Sequence, residues 1–302
     1  MKKPMKKLLL IYNPAAGSRT FKTALDECIH SFQLGGYVTH VLKSMGPGDI
    51  GGHIAALKNV GYDAFAIAGG DGSVNQAVNA MMANGLRAPL GIIPSGTAND
   101  FASFMKLPQN PKKAVDVIAG GRTAKIDLGL VNGGAYFVNV CAAGMFSNIS
   151  RSVDSSFKNT FGKLAYYIKG LEQLPNLVPF KVKISNSAGV YTESLYFFLV
   201  INSSGCGGFE GLSPGARADD GLFDFIGFRA FPPRELPLLF MKVLSGDHLN
   251  DERVLFFRDS DIVIEKLDEK DPGIATDTDG EKGPGFPLAI KNLNRVFEIF
   301  TP

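Results

Sequence analysis

A glycine-aspartate turn is the first stretch of this sequence that could do chemistry. GGDGS, residues 69–73, follows the apolar run AFAIA and opens a pattern with helical spacing. Glycines let a backbone approach a ligand closely, and the N–H groups at a helix N-terminus attract phosphate. A carboxylate at Asp71 would repel a bare phosphate, so it indicates either a Mg²⁺ between the two or an ordinary tight turn with an aspartate cap. This turn alone does not decide between them.

Two further loops of small and polar residues follow other apolar runs. NPAAGSR, residues 13–19, follows the first run, and PSGTANDFA, residues 94–102, follows the fourth. Ligands collect at the carboxyl ends of the strands in an open parallel sheet. Three such loops on one edge therefore predict a phosphate-binding rim. The sequence has neither GxxxxGKS/T nor GxGxxG after a strand, so we expect a nucleotide to be held in another way.

The elements that must carry these loops alternate between strands and helices over about the first 130 residues. Continuous apolar strands alternating with helices are typical of an α/β domain with a parallel sheet covered on both faces. After TAKIDLGLV the pattern changes to many strands with two helical stretches, about 160–174 and PPRELPLLFMKVLSG. This pattern predicts an antiparallel sandwich or barrel. We therefore expect two domains with a boundary near Leu130.

Composition excludes several classes of protein. The 302 residues are 45% hydrophobic and 20% charged, as in soluble globular proteins, and the net charge of +2 gives no reason to expect a nucleic-acid partner. No apolar run approaches the ~20 residues that span a bilayer, and the apolar stretch near the N-terminus is too short for a signal peptide. Cys28, Cys141 and Cys206 are far apart, which favours buried thiols in a reducing cytoplasm over disulfides or a zinc site.

Six motifs taken in order carry a resemblance to a known family. They are NPAAG, GGDGSVNQ, PSGTANDFA, KIDLG at 125–129, SPGARADDGLFDF at 213–225 and DTDGE at 277–281. Together they resemble the diacylglycerol kinase catalytic domain of the soluble bacterial lipid kinases, which are related to sphingosine and ceramide kinases. The resemblance covers nearly the whole chain. GGDG by itself is weak, because phosphofructokinases and NAD kinases share it, whereas the ordered set is specific.

The resemblance implies an architecture. Residues 1–130 would form a nucleotide-binding α/β domain like that of phosphofructokinase, with a parallel sheet. Residues 131–294 would form an antiparallel β-sandwich for the lipid substrate, and the active site would lie in the cleft. The tail, 295–302, often packs back on the first domain in this family.

The resemblance also implies site residues and cofactors. The positions that match the family's ATP-binding residues are Asn13, Ser44, Gly70, Asp71, Gly72, Ser73, Val74, Asn75, Gln76 and Thr97. A carboxylate network around Mg²⁺ would involve Asp71, Asp100, Asp127 and Asp220. The backbone carbonyls of Arg217 and Leu222 would bind a structural Mg²⁺ beside Asp220.

The general base would come from the DGE segment. Asp279 and Glu281 are both candidates, and the longer side chain of Glu281 is favoured. The same segment is typical of a hairpin turn, because Asp-Gly is a strong hairpin dipeptide, and one segment could serve both purposes.

Two positions depart from the family pattern. Position 73 is Ser where these kinases usually have Thr. The hydroxyl is kept, but GGDGS is the form of the motif found in phosphofructokinases. Position 76 is Gln where Glu is common, which puts a charged role there in doubt. PGARADDGLFDF and the β-rich second half nevertheless favour the lipid kinases.

The acceptor implied by the resemblance is a lipid hydroxyl, with diacylglycerol as the first candidate. The glycine-rich loop NSSGCGGFEGLSPGA, residues 202–216, would lie near the lipid. The residues that could line a lipid channel or touch a membrane, or be ordinary core, are Phe146, Phe157, Phe161, Tyr166, Tyr167 and Ile168. The cations that could face anionic headgroups or simply solvent are Arg151, Lys158, Lys163 and Lys169.

Several readings stay open at this point. An NAD kinase shares the GGDG turn, and a silent nucleotide or lipid sensor would share the fold. The leading expectation is a cytoplasmic enzyme in peripheral contact with a membrane, using ATP and Mg²⁺. Dimers are common among relatives, so a homodimer is a further expectation that the sequence itself does not show.

Overall fold

The computed structural model describes residues 4–17, 21–144, 178–267 and 274–302. The chain divides into two compact units. Unit 1 is Met1–Ile126 together with Arg295–Pro302, and unit 2 is Asp127–Asn294. The predicted helix at about 160–174, with the channel and cation candidates of residues 146–169, lies outside the described residues.

Unit 1 alternates strands and helices. Its strands are β1 (Lys6–Tyr12), β2 (Tyr37–Lys43), β3 (Ala64–Gly69) and β4 (Leu90–Pro94). Its helices are α1 (Phe21–Leu34), α2 (Asp49–Ala56), α3 (Asp71–Ala83), α4 (Asp100–Phe104) and α5 (Pro111–Gly120). The four strands pair in parallel in the order β2-β1-β3-β4. The predicted parallel α/β sheet is therefore confirmed.

Both faces of the unit 1 sheet are buried, which explains its continuous apolar strands. Alternate β1 residues, Leu8 and Leu10, pack in one core with Phe32 of α1 and Val115 of α5. At Gly91 of β4 an added Cβ would lie 2.4 Å from Cδ1 of Ile118. Helix α5 therefore packs against a strand that has no side chain at this point.

Unit 2 is built from antiparallel strands. Its strands are β5 (Thr123–Val131, in this unit from Asp127 onward), β6 (Ala135–Phe137), β7 (Val140–Gly144), β8 (Phe180–Asn186), β9 (Gly189–Ile201), β10 (Phe223–Arg229), β11 (Val254–Asp259), β12 (Asp261–Lys266), β13 (Thr276–Thr278), β14 (Glu281–Lys282) and β15 (Leu288–Phe300, in this unit up to Asn294). Among the described residues of this unit, the α-helix α6 (Leu236–Ser245) interrupts the strands. The expected antiparallel β-sandwich is confirmed.

The long strand β9 organises unit 2. It pairs antiparallel with β8, β7 and β10. Phe198 and Val200 point into one core, whereas Phe197 and Leu199 point into a second core that also contains Leu239 of α6. Because α6 covers the second core, β9 is apolar on both faces, which explains the unbroken run LYFFLVI.

The expectation for the cysteines is also met. Cys28, Cys141 and Cys206 are free and buried, as their spacing predicts. Within the described ranges, no helix is both long and apolar enough to cross a membrane.

Candidate active site

The three small-residue loops of unit 1 meet at one edge of its sheet. Strands β1, β3 and β4 are parallel, so their carboxyl ends lie side by side. The N–H of Asn13 donates to the carbonyl of Ala68 at 2.9 Å, and the N–H of Ser95 donates to the carbonyl of Gly69 at 2.9 Å. These bonds continue the strand ladders into the loops and place them next to one another.

Glycines let these loops pack backbone against backbone. A Cβ added at Gly17 would lie 2.4 Å from the carbonyl oxygen of Ser95, and one added at Gly96 would lie 2.4 Å from Cα of Gly70. Side chains at these positions would push the loops apart. The sequence pattern suggests ligand approach as the reason for such glycines, and the structure shows that contact between the loops already requires them.

Asn13 ties the first loop to the start of α3. Its side-chain amide donates to Oγ of Ser73 at 3.3 Å, and its side-chain oxygen accepts from the N–H of Ala15 at 3.0 Å. Ser73 is buried, and its own N–H donates to the carbonyl of Gly70 at 2.9 Å. The hydroxyl that the sequence marked for phosphate contact is therefore oriented by an asparagine.

Asp71 holds the next helix. It is the first residue of α3, and its own helix receives no side-chain cap from the preceding Gly70. Its two carboxylate oxygens accept from the N–H groups of Asp100 and Phe101, both at 3.2 Å. Burial raises the pKa of Asp71, and these N–H donors oppose that shift. The aspartate is thus a cap, as one reading of the sequence allowed, but of α4 rather than of its own helix.

The loop before α4 is fixed by Asn99. This residue has a left-handed backbone, with φ of 51°. Its side-chain oxygen accepts from the N–H of Gly96 at 2.8 Å, and its amide donates back to the Gly96 carbonyl at 3.0 Å. No motif in the sequence marks Asn99 for this role, although asparagine is among the few residues that tolerate this conformation.

The other predicted nucleotide contacts differ in accessibility. Ser44 is buried, and its hydroxyl donates to the carbonyl of Gly46 at 3.2 Å. The side chains of Val74 and Asn75 are buried, whereas Gln76 is half-buried. Thr97 is half-buried, and its hydroxyl makes no hydrogen bond in the part of the chain that the structure describes. A ligand at this rim would meet Thr97 before Val74 or Asn75.

In unit 2, Asp127 holds the loop that contains Asp220. Asp127 is fully buried, and its Oδ2 accepts from the N–H of Gly221 at 2.7 Å. Its own N–H donates to the carbonyl of Ala218 at 2.7 Å. The KIDLG and ADDGLFDF motifs are therefore in direct contact.

An arginine that the sequence reasoning missed pairs with the same loop. Nη2 of Arg258 donates to Oδ2 of Asp220 at 2.5 Å, and Nε donates to Oδ1 of Asp224 at 2.6 Å. Asp224 is buried and also accepts from the Ser213 hydroxyl. The other oxygen of Asp220 accepts from the N–H of Leu222 at 3.1 Å. One guanidinium therefore balances two carboxylates.

Replacing Arg258 with methionine is expected to lower the free energy of unfolding by about 3–5 kcal/mol, because Asp224 would be left buried without its cation. Urea unfolding measures this loss. The matched control is Arg217→Met, whose exposed side chain pairs with Asp219 and whose loss should leave the unfolding transition close to that of wild type. Equal losses in the two variants would contradict the structural role of Arg258.

The DTDGE segment forms a two-residue hairpin turn between β13 and β14. Asp279 and Gly280 have φ of 53° and 89°, and the flanking pairs are Thr278 with Glu281 and Asp277 with Lys282. Positive φ at both turn residues is typical of a type I′ turn. The sequence prediction of a hairpin turn is confirmed.

The two carboxylates of this turn have different surroundings. Asp279 is buried and accepts from the N–H groups of Val138, Asn139 and Val140 at 2.7, 2.9 and 2.8 Å. Glu281 is exposed. Three N–H donors commit Asp279 to holding the start of β7, whereas Glu281 is the more accessible of the two carboxylates.

Asn139 and Asn202 connect this turn to the glycine-rich loop. The Asn202 amide donates to the carbonyls of Asp127 and Val138, both at 3.0 Å. Asn139 accepts from the Ser203 hydroxyl and donates to the Gly205 carbonyl at 3.2 Å. In the sequence, only the polar NSSG stretch directly after β9 indicates that these asparagines could have a structural role. The result is one buried polar network that joins three motifs of unit 2.

Comparisons with known proteins agree with this arrangement. The diacylglycerol kinase catalytic domain family matches residues 7–131, and the YegS C-terminal NAD kinase beta sandwich-like domain matches residues 139–301. A diacylglycerol kinase of Bacillus subtilis is 34% identical over 99% of this chain and 97% of its own length. A diacylglycerol kinase of Staphylococcus carnosus is 32% identical over 98% and 95%.

A solved structure is similar over the whole fold. The crystal structure of a diacylglycerol kinase from Bacillus anthracis str. Sterne superposes with a TM-score of 0.81 at 27% identity, covering 100% of this chain and 99% of the other. The ordered loops, the buried polar network and these full-length similarities agree, and they do not favour the NAD kinase alternative. The chain therefore belongs to the diacylglycerol kinase catalytic domain family and is a lipid kinase.

Proposed function

We propose that this lipid kinase transfers the γ-phosphoryl group of ATP to the hydroxyl of diacylglycerol, with Mg²⁺. The observation that carries the proposal is the Asp71 carboxylate, oriented by two N–H donors where three phosphate-suited loops meet. The names of the Bacillus and Staphylococcus relatives support diacylglycerol as the acceptor. Burial disfavours the charge of the Asp71 carboxylate and the backbone donors offset that cost only in part, so a cation bound there would stabilise the ionised form further.

ATP is assigned to the rim of unit 1. The N-terminus of α3 favours the phosphates through its N–H groups and dipole. Ser73, oriented by Asn13, and Thr97 supply hydroxyls, and the small loop residues let the phosphates approach the backbone. Val74 and Asn75 contribute packing of α3, because their side chains are buried.

The donor chemistry of this rim fits Mg²⁺. Asp71 and Asp100 offer carboxylate oxygens, the ligand type that Mg²⁺ prefers. Hydrogen bonds from N–H groups fix the Asp71 oxygens and leave further lone pairs on each. When bound, the ion would spread the charge of the triphosphate. Asp127 stays a predicted partner of that network, and its structural bond to Gly221 would be kept.

The structural Mg²⁺ at Asp220, Arg217 and Leu222 also stays a prediction. An ion there would have to share the Asp220 carboxylate with Arg258, whose Nη2 lies 2.5 Å from Oδ2. The guanidinium already supplies positive charge at this position.

Glu281 is assigned as the general base, and Asp279 as its positioning residue. The acceptor hydroxyl would give its proton to the Glu281 carboxylate as its oxygen bonds to the γ-phosphorus. The bond from that phosphorus to the bridging oxygen would break, and ADP would leave with the electron pair. The turn places Glu281 one residue after Gly280, and Asp279 fixes the turn to β7 through three N–H groups.

ADP release tests the proposal. Purified protein would be incubated with ATP and dispersed diacylglycerol, other hydroxyl lipids, NAD or fructose 6-phosphate, with Mg²⁺ or with a chelator. We expect release that requires both diacylglycerol and Mg²⁺. Release driven by NAD or the sugar phosphate would overturn the assignment, and ATP binding without turnover on any lipid would support a silent sensor instead. Membrane contact and dimer formation are further proposals, and flotation with vesicles and light scattering test them.

A further inference from the structure

The outer face of helix α6 is apolar. Leu238, Met241 and Leu244 are exposed by 58%, 61% and 49%. Their spacing of three places them along one side of the helix. The opposite side buries Leu239 and Val243 in the core of unit 2. A helix on the surface of a globular protein usually presents polar residues to water, so the exposed apolar face of α6 marks an interaction surface.

Several charged residues beside α6 form ion pairs with one another. Lys242 donates to Asp251 at 2.7 Å, and Arg253 pairs with Asp251 and Glu235. The opposite charges within these ion pairs offset one another. The surface is therefore suited to an apolar environment rather than to an oppositely charged protein partner.

Helix α6 contacts the glycine-rich loop, residues 202–216, which is expected to lie near the lipid. The Phe240 ring lies against the Phe209 ring with centroids 6.2 Å apart, edge to face. Phe209 belongs to the glycine-rich loop that begins at Asn202, and Asn202 is bonded to the backbone of Asp127 and Val138. Helix α6 therefore supports the loop whose first residues join the buried polar network.

The size of the face argues against a second copy of the chain as its occupant. Stable protein dimers bury roughly 800 Å² on each partner, and three half-exposed side chains supply only a few hundred Å². A lipid kinase must draw its acceptor from a lipid phase, and no helix in the described ranges could span one. A bilayer surface needs only shallow insertion of a few apolar side chains.

We infer that α6 inserts Leu238, Met241 and Leu244 into the acyl-chain boundary of a bilayer and so brings the glycine-rich loop to the membrane surface. The inference rests on the proposed lipid-kinase function and names the surface that it would use. It assigns membrane contact to a helix other than the one that the sequence pointed to.

The test compares two groups of variants. The α6 variant carries Leu238→Gln, Met241→Gln and Leu244→Gln, because glutamine keeps helix propensity. The control carries Leu34→Gln, Val190→Gln and Leu267→Gln, which are exposed apolar positions elsewhere with 77%, 62% and 45% exposure. Circular dichroism and melting temperature verify that both variants are folded.

Flotation with phosphatidylcholine vesicles containing diacylglycerol is the first readout. We expect the α6 variant to bind about 100-fold more weakly than wild type, from the partial burial of three large apolar side chains. The second readout is the ratio of turnover on vesicle diacylglycerol to turnover on a water-soluble short-chain diacylglycerol. That ratio should fall about 100-fold in the α6 variant and stay at the wild-type value in the control.

Two results would overturn the inference. One is unchanged vesicle binding by the α6 variant. The other is loss of a dimer, seen by light scattering, with vesicle binding intact, which would make the occupant a second copy. Failure of the proposed function looks different, because wild type would then phosphorylate neither the vesicle lipid nor the short-chain lipid.

Discussion

Replacing Asp71 with asparagine is expected to lower kcat/KM for ATP about 100- to 1,000-fold. The substitution removes the negative charge that would bind Mg²⁺. It also turns one acceptor into an NH₂ group that faces the N–H of Asp100 or Phe101, 3.2 Å from the present oxygens. The expected loss of stability is only about 1–2 kcal/mol, the usual cost of losing a helix cap. ADP release and urea unfolding measure the two effects.

A purely structural Asp71 would behave like another helix cap in unit 1. Asn110 caps α5 by accepting from the N–H of Lys113 at 3.1 Å. Asn110→Ala should therefore lose about 1 kcal/mol of stability with kcat/KM unchanged. If Asp71→Asn shows the same pattern, with activity intact, Asp71 is only the cap of α4 and the metal assignment is wrong.

The decrease of kcat/KM at low pH provides a second test of the role proposed for Asp71. Burial raises the pKa of its carboxyl, so protonation sets in at a higher pH than for an exposed aspartate. The ionised form is needed for Mg²⁺, and we expect kcat/KM to fall as the pH drops through that raised value. Saturating Mg²⁺ should shift this decrease of kcat/KM to lower pH, because the ion binds the deprotonated form of the carboxyl.

Substitutions of the two carboxylates at the hairpin turn should affect different properties, stability for Asp279 and catalysis for Glu281. Asp279→Asn is expected to lower the free energy of unfolding by about 2–4 kcal/mol, because the N–H of Val138 would face an NH₂ group and the charge on three hydrogen bonds would be lost. Glu281→Gln changes an exposed side chain, so its stability should stay within about 0.5 kcal/mol of wild type. Its kcat should nevertheless fall about 100- to 10,000-fold.

Urea unfolding and ADP release on the same preparations decide between the two roles. The control is Lys282→Met, which alters the exposed neighbour of Glu281 on the same short strand. A Glu281→Gln enzyme with wild-type kcat, beside an Asp279→Asn enzyme that is stable and inactive, would reverse the assignment of the base.

Much of the fold could be predicted from local patterns. The alternation of apolar strands and helices indicates the parallel sheet of unit 1, and the dense strands after TAKIDLGLV indicate the antiparallel unit 2. Asp279 and Gly280 also show their turn directly, because an Asp-Gly pair between strands favours positive φ at both positions. These features depend on neighbours in the sequence.

The contacts that define the site depend on residues far apart in the chain. Asp279 binds the N–H of Val138 across 141 residues, and Arg258 binds Asp220 across 38. No local pattern marks Arg258, since an arginine in a strand is usually a surface residue. The role of Asp71 toward α4 was missed for the same reason, because its partners lie 29 and 30 residues away.

The most direct test of the proposed function is the transfer of labelled phosphate from [γ-³²P]ATP to lipid. Protein, Mg²⁺ and diacylglycerol in mixed micelles would be incubated and the lipids extracted. We expect a labelled phospholipid with the mobility of phosphatidic acid, formed in step with ADP and reduced to background by Glu281→Gln. ADP formed with the label recovered as inorganic phosphate, or a labelled product in the aqueous phase, would contradict it.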